Sequence, residues 1–205
     1  MQDNPYFEQV AERRDPQREV RSTARFLAVI VAIVLCVAIL FTQIFLGVQV
    51  IGSSMEPTLY EGDYLFVDTT ASIHRGDIVV VEADMQDNIH DETVYEWIIK
   101  RVIGLPGDTL YAQNGILYRR EGGEAEFSVV EEPYLDEADG WRGNIPQITV
   151  PDGQVYLLGD HRSVSLDSRE LGPQPLAQVV GVVTDWSLAM KEFLSATFGL
   201  FARKS

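Results

Sequence analysis

Residues 26–46 read FLAVIVAIVLCVAILFTQIFL, 21 residues without a charged side chain. At 1.5 Å rise per residue, a helix of that length spans the roughly 30 Å hydrocarbon core of a bilayer. The run predicts one transmembrane helix over 26–46. Its apolar stretch is longer than the roughly 7–15 residues of a cleaved leader, and no small-residue cleavage pattern follows it cleanly, so an anchor is expected. The run divides the chain into a tail (1–25), the span (26–46), a β-rich domain (47–185) and a C-terminal amphipathic segment (186–205).

The tail carries Arg13, Arg14, Arg18, Arg21 and Arg25 close to the apolar run. Basic flanks stay on the cytoplasmic side, so the tail is expected inside and everything after Leu46 outside. Asp3, Glu8, Glu12, Asp15 and Glu19 balance these arginines, and the net charge of -15 therefore belongs almost wholly to the exterior part. An acidic surface argues against a nucleic-acid partner. Cys36 is the only cysteine and lies in the span, which excludes an intramolecular disulfide, a zinc site built on thiolates and thiol catalysis.

Beyond the span the pattern changes to short β-rich runs bounded by turn residues: DYLFVDT, GDIVVVEA, TVYEWIIKRVI, GDTLYAQNGILYRR, QITV and QVYLLGD. Asn114-Gly115 is the dipeptide preferred by a type I′ hairpin. The expected fold is mostly β, with a small excursion from the main sheet over about 109–150. At the C-terminus, Leu188, Phe193, Leu194, Phe198, Leu200 and Phe201 suit a packing or interfacial helix, while Lys191 and Glu192 interrupt any second span.

Three segments hold the candidate chemistry. Ser54 lies in GSSMEPTL, where Glu56 stands in place of the second glycine of a G-x-S-x-G nucleophile elbow. A serine beside a proline turn is ordinarily a turn or cap residue and needs a base to become a nucleophile. His74 and His90 sit in polar loop contexts, whereas His161 in GDHRS follows an apolar strand and is a candidate base. Lys100 interrupts the apolar strand TVYEWIIKRVI, with alternation placing it alongside Ile98 and Val102, and Arg101 alongside Ile99 and Ile103. One of these two cations must therefore face inward or line a cleft. A lysine serves as a general base once desolvation brings its pKa from about 10.4 towards 7 or 8.

Taken in order, SMEPTL after an apolar anchor, RGDIVVVEA, IIKRVIGLPGD and GDHRSVSLDSRELG resemble the bacterial type I signal peptidases, or leader peptidases, over most of residues 50–180. The resemblance implies coiled antiparallel sheets, a Ser-Lys serine protease without metal or cofactor, Ser54 as nucleophile and Lys100 as general base. It further implies that Ser165 orients the lysine and that Asp160, Asp167 and Arg169 shape and brace the site, with Arg101 in the K-R-V segment as a supporting residue. The family motif has asparagine where this chain has His161. Some members have a serine two positions before the nucleophile, where this chain has Gly52, so the oxyanion would rest on the Ser54 backbone N–H and a contact on the Gly52 side. Cleavage after A-x-A implies shallow apolar pockets, for which Ile51, Met55, Val94 and Ile98 are candidate walls.

From Gly47 to Ser54 an extended chain reaches no more than about 25 Å, which tethers the nucleophile near the outer leaflet. The expected partners are preprotein signal peptides, the phospholipid bilayer and, by proximity, the secretion translocase; the expected location is the bacterial cell membrane. Met55, Leu59, Tyr60, Leu65 and Phe66 are candidates for a lipid-contacting rim, with ordinary core packing an equal alternative for Leu65 and Phe66. A self-cleaving repressor of similar fold would need a DNA-binding domain, and the archaeal and endoplasmic-reticulum peptidases use histidine where this chain has Lys100. The remaining alternative is a catalytically silent, membrane-tethered β domain that binds peptides or partners.

Overall fold

The computed structural model describes the backbone of residues 16–87 and 92–202, and the side chains of residues 20–83 and 97–197. Helix α1 (Pro16–Ile44) contains Val20–Ile44, a stretch long and apolar enough to cross a membrane. The helix stops two residues before the apolar run does. Phe45 and Leu46, expected in the span, instead open strand β1 (Phe45–Gln49) and pair with Asp68 and Val67 of β2 (Tyr64–Asp68). Apolar composition alone does not separate the end of a helix from a buried strand; the partner strand does. The helix up to Gln43 belongs to one compact unit, and residues Ile44–Ser205 form another.

The second unit is mostly antiparallel β. Its remaining strands are β3 (Ile78–Asp87), β4 (Glu92–Gly104), β5 (Thr109–Gln113), β6 (Ile116–Arg120), β7 (Ser128–Val129), β8 (Ile145–Thr149), β9 (Gln154–Leu158), β10 (Gln174–Pro175) and β11 (Val179–Val183). They form a seven-stranded sheet in the order β1-β2-β11-β3-β4-β9-β10 and a four-stranded sheet in the order β7-β6-β5-β8. In the β5–β6 hairpin Asn114 and Gly115 have φ of 52° and 81°, the positive pair that a type I′ turn requires. Strand β11 was not among the expected strands. It is inserted between β2 and β3, pairing through Val183 with Val67 and through Val182 with Val79.

The run IVVV in β3 explains why the main sheet is buried on both faces. Ile78 and Val80 pack with Val48, Leu59, Leu65 and Val67, whereas Val79 and Val81 pack with Val102, Val155, Leu157 and Val182. A third cluster, including Ile103, Leu110, Leu117 and Tyr156, spans residues of both sheets. Asp108, at the end of the GLPGD turn, is fully buried and takes two hydrogen bonds of 2.8 Å from Arg75 and others from the Leu105 and Gly122 N–H groups. Burial alone would raise its pKa, but these donors outweigh it and hold the carboxyl below the usual aspartate value.

After α2 (Ser168–Leu171), the chain ends in α3 (Asp185–Ala189) and α4 (Lys191–Ala202), two helices where the sequence pattern predicts one amphipathic segment. Leu194 is buried, Leu188 packs against the core, and Ser195 Oγ accepts from Tyr64 N–H at 2.8 Å. Phe193 faces outward, at 62 % exposure. The side chains of Phe198, Leu200 and Phe201 lie outside the described residues, as does His90.

Candidate active site

The loop that follows β1 and the inner end of β4 bring Ser54 and Lys100 together. Lys100 Nζ lies 2.8 Å from Ser54 Oγ and donates to the Ile99 carbonyl at 3.0 Å. Lys100 is 3 % exposed, and its neighbour Arg101 is buried as well, so alternation along β4 takes neither cation to solvent. Each has its own means of tolerating burial. Arg101 is compensated by a bidentate pair with Asp160, at 2.8 and 2.6 Å, a bond to the Gly76 carbonyl and a position 3.8 Å from the centre of the Tyr134 ring. Lys100 has no carboxylate within ion-pair distance among the described residues. Desolvation lowers its pKa from 10.5 to about 8, partly opposed by Asp167 and Asp160 and assisted by Arg169.

The segment 159–169 follows β9, the sheet neighbour of β4, adjoins the Ser54 turn and is braced throughout. Asp160 also accepts from Thr58 Oγ1 at 2.5 Å, tying it to the SMEPTL turn. Asp167 caps α2, accepts from the Gly159 N–H at 2.9 Å, and binds Arg169 through both carboxylate oxygens. Arg169 in turn donates to the Arg162 and Ser165 carbonyls, at 2.7 and 3.0 Å. Buried Arg162 pairs with Glu132. Ser165 is buried, and its Oγ has no hydrogen-bond partner among the described residues. It therefore makes no hydrogen bond to Lys100 in this structure.

Gly159 is a residue the sequence reading missed. A Cβ there would sit 2.2 Å from Ser165 Oγ and 2.5 Å from the Ser54 carbonyl oxygen, so the absence of a side chain is what lets these two serines approach the same backbone. The signal was present in the glycine that ends the apolar strand QVYLLG, but its meaning needs the loop across from it. Gly52, at φ 79°, takes the left-handed conformation two residues before Ser54, where glycine is unstrained.

His161 is near Ser54, but its ring meets a backbone carbonyl and not the Ser54 hydroxyl. Its backbone N–H donates to the Ser54 carbonyl and its Nδ1 faces the Ser53 carbonyl, both at 3.1 Å, while Ser54 Oγ is held by Lys100. His74 is a surface residue 3.5 Å from Asp77.

An open cleft of about 730 Å³ reaches Ser54 and Lys100. Ile51, Met55 and Ile98 line it, joined by Val80, Trp97 and Ile99, which the sequence reading did not single out. The side chain of Val94 lies outside the described residues. Met55 is only 1 % exposed, and Leu59 and Leu65 are fully buried. These three belong to the core, not to a lipid-contacting rim, because the turn over Ser54 folds back onto β2. Phe66 is half-buried and stacks on Trp186 with ring centres 5.3 Å apart, leaving Tyr60 as the exposed member of that set.

A buried amine of lowered basicity beside a serine hydroxyl, at the end of an apolar cleft, is an arrangement suited to acyl transfer by an activated nucleophile. Residues 23–186 match the family described as signal peptidase, peptidase S26. The chain is 37% identical to signal peptidase I of Bacillus licheniformis over 154 residues, 69% of this chain and 75% of that one. It is 33% identical to signal peptidase I V of Bacillus subtilis (strain 168) over 176 residues, 78% of this chain and 95% of that one. A solved signal peptidase I from Enterococcus faecalis V583 aligns at a TM-score of 0.44 with 28% identity, covering 56% of this chain and 98% of that one. With a match that takes in most of the apolar helix and every described strand, the chain belongs to the peptidase S26 family of signal peptidases.

Proposed function

We propose that this chain is a membrane-anchored serine endopeptidase that removes N-terminal signal peptides from exported preproteins, with Ser54 as nucleophile and Lys100 as general base. Membership of the signal peptidase family supports preproteins as the substrate class. The observation that carries the dyad is the 2.8 Å contact between Lys100 Nζ and Ser54 Oγ at a lysine whose pKa is lowered to about 8. A neutral amine has one lone pair and two N–H groups. On this reading the lone pair takes the Ser54 proton as Oγ attacks the scissile carbonyl, one N–H goes to Ile99, and the other is left for Ser165, whose buried hydroxyl is otherwise uncommitted.

The ammonium then protonates the leaving amine, the C–N bond breaks, and an acyl ester remains on Ser54. Water, deprotonated by Lys100, hydrolyses that ester and frees the serine. Asp167 and Asp160 favour the charged lysine without neutralising it, which stabilises the ammonium formed in each half-reaction. The Ser54 N–H, with the Gly52 side of the turn, meets the oxyanion. The cleft beside Trp97–Lys100 of β4 and edge strand β1 holds the peptide in an extended form, with Ile51, Met55 and Ile98 as walls for small side chains.

The same proposal places the chain in the bacterial cell membrane as a single-pass protein. Its five tail arginines are cytoplasmic, and the β domain lies on the outer face near the translocase that delivers preproteins. Phe45, one residue beyond α1, packs edge-on against Trp186 at 6.0 Å, and Trp186, Met190 and Phe193 are exposed. This row takes the place of Met55 and its neighbours as the lipid-facing surface, since tryptophan favours the interfacial depth at which a spanning helix ends. The test of the dyad is processing of one preprotein in detergent by wild type, Ser54→Ala, Lys100→Ala and the double variant. Each single variant should fall to background and the double no further, with the fold intact; near-normal turnover by Lys100→Ala would leave the lysine a structural role only.

A further inference from the structure

We infer that His161 is a positioning residue for the oxyanion: its ring aims the Ser54 N–H by holding the other end of the same peptide group. The inference rests on the reading of Ser54 as nucleophile. A trans peptide is planar, with its C=O and N–H pointing in opposite directions, so fixing the Ser53 carbonyl also fixes the direction of the Ser54 N–H. Two donors converge on that carbonyl. The Glu56 N–H donates at 3.1 Å from within the turn, and His161 Nδ1 stands at 3.1 Å from outside it. The carbonyl only accepts, so the contact is a bond with the proton on Nδ1. A third bond, from the His161 N–H to the Ser54 carbonyl, fixes the next peptide plane.

The ring has a rigid mount. Asp160 before it is locked by Arg101 and Thr58, and Arg162 after it is locked by Glu132 and by a bond from its Nε to the Gly159 carbonyl at 3.0 Å. On its far side, Nε2 faces Asp139 at 3.8 Å, and that carboxylate already accepts from Ser163. The imidazole therefore bridges residues 137–139 of the excursion to the turn that carries Ser54, without touching the Ser54 hydroxyl. Hydrogen bonding at a carbonyl also polarises its peptide, making the N–H at the other end a stronger donor. That contribution acts on charge that develops only in the transition state, so it belongs in kcat and not in KM.

The geometry also accounts for histidine at a position where the family motif carries asparagine. Nδ1 of histidine and Nδ2 of asparagine are both attached directly to Cγ, so both can present an N–H to the Ser53 carbonyl from the same backbone. Glutamine carries its amide one carbon farther out, and phenylalanine fills the ring's volume without a donor.

Steady-state kcat and KM for a preprotein, measured on the full-length enzyme in detergent with Tm alongside, separate these cases. Losing a whole oxyanion donor lowers kcat by about 10²–10³-fold, so misaiming one by His161→Phe or His161→Gln should lower kcat by roughly 10- to 100-fold with KM changed less than about two-fold. His161→Asn should return kcat to within about three-fold of wild type, the margin being set by the loss of the ring's packing and its approach to Asp139. If one of these two variants fails to fold, the other, with its donor removed or displaced, still reads the bond. Wild-type kcat in His161→Phe or His161→Gln, a loss confined to KM, or His161→Asn no better than those two would overturn the inference while Ser54→Ala remains silent. Turnover by Ser54→Ala would overturn the underlying reading itself.

Discussion

Raising the pH from about 7 to about 9 should increase kcat/KM roughly ten-fold and then level off, because it deprotonates one buried lysine. With the Lys100 pKa at about 8, about a tenth of the molecules hold the neutral amine at pH 7 and about nine-tenths at pH 9. A lysine left at its ordinary 10.5 would be neutral in only about 3 molecules per 10,000 at pH 7, and the rate would climb about a hundred-fold over the same interval without a plateau. The slope and the plateau therefore distinguish the two cases. The same shift has a signature in stability. The folded chain releases the proton first, so between about 8 and 10.5 the unfolded chain binds more protons and stability rises with pH by up to about 3 kcal/mol from this group. Below that window the penalty is fully present. Initial rates for preprotein cleavage in detergent across this range, with Tm in the same buffers, make the measurement. A limb at 10 or above would refute desolvation as the tuning force, and a limb near 6.5, the ordinary histidine range, that disappears in His161→Asn would make histidine the base.

Asp160→Asn should destabilise the domain by about 3–5 kcal/mol, because it leaves the buried Arg101 guanidinium facing a neutral amide, and chemical denaturation with a Tm below wild type should register it. On lipid vesicles, Phe193→Ser and Met190→Ser together should reduce binding of a chain truncated before Ile44, while its cleavage of a short A-x-A peptide in solution stays unchanged. Equal sedimentation of the variant and its parent with vesicles would remove the C-terminal helices from the membrane-facing surface.

Much of the architecture could be read from local pattern. An apolar run of this length leaves little choice but a helix fit to span a bilayer, β-branched runs between turn residues require strands, and Asn114-Gly115 specifies its hairpin through two positive φ angles. Each of these depends on interactions within a few residues. The end of the helix did not follow, because Phe45 and Leu46 are as apolar as the residues before them and only β2 makes them a strand. Strand β11 was missed for the same reason: Val-Val-Gly-Val-Val has no alternation to read when both faces are covered.

The candidate site divides along a similar line. The residue types and their order, with serine, lysine and the Gly-Asp segment in sequence, are sufficient to suggest acyl transfer and a family. Whether Lys100 is basic or neutral was not in the sequence, since its pKa is set by how completely β4, the Ser54 turn and the 159–169 segment exclude water. Nor was the distinction between Met55 as a core residue and Met55 as a lipid contact, which depends on the turn folding back over β2. His161 shows the difference most directly. The sequence placed a histidine near a serine and made it a candidate base, whereas the fold directs its ring at the Ser53 carbonyl and gives the Ser54 hydroxyl to lysine. Chain-local chemistry determines which groups are present and which elements they ride on; burial and hydrogen-bond direction arise between segments 46 to 108 residues apart in sequence, and only the tertiary structure decides them.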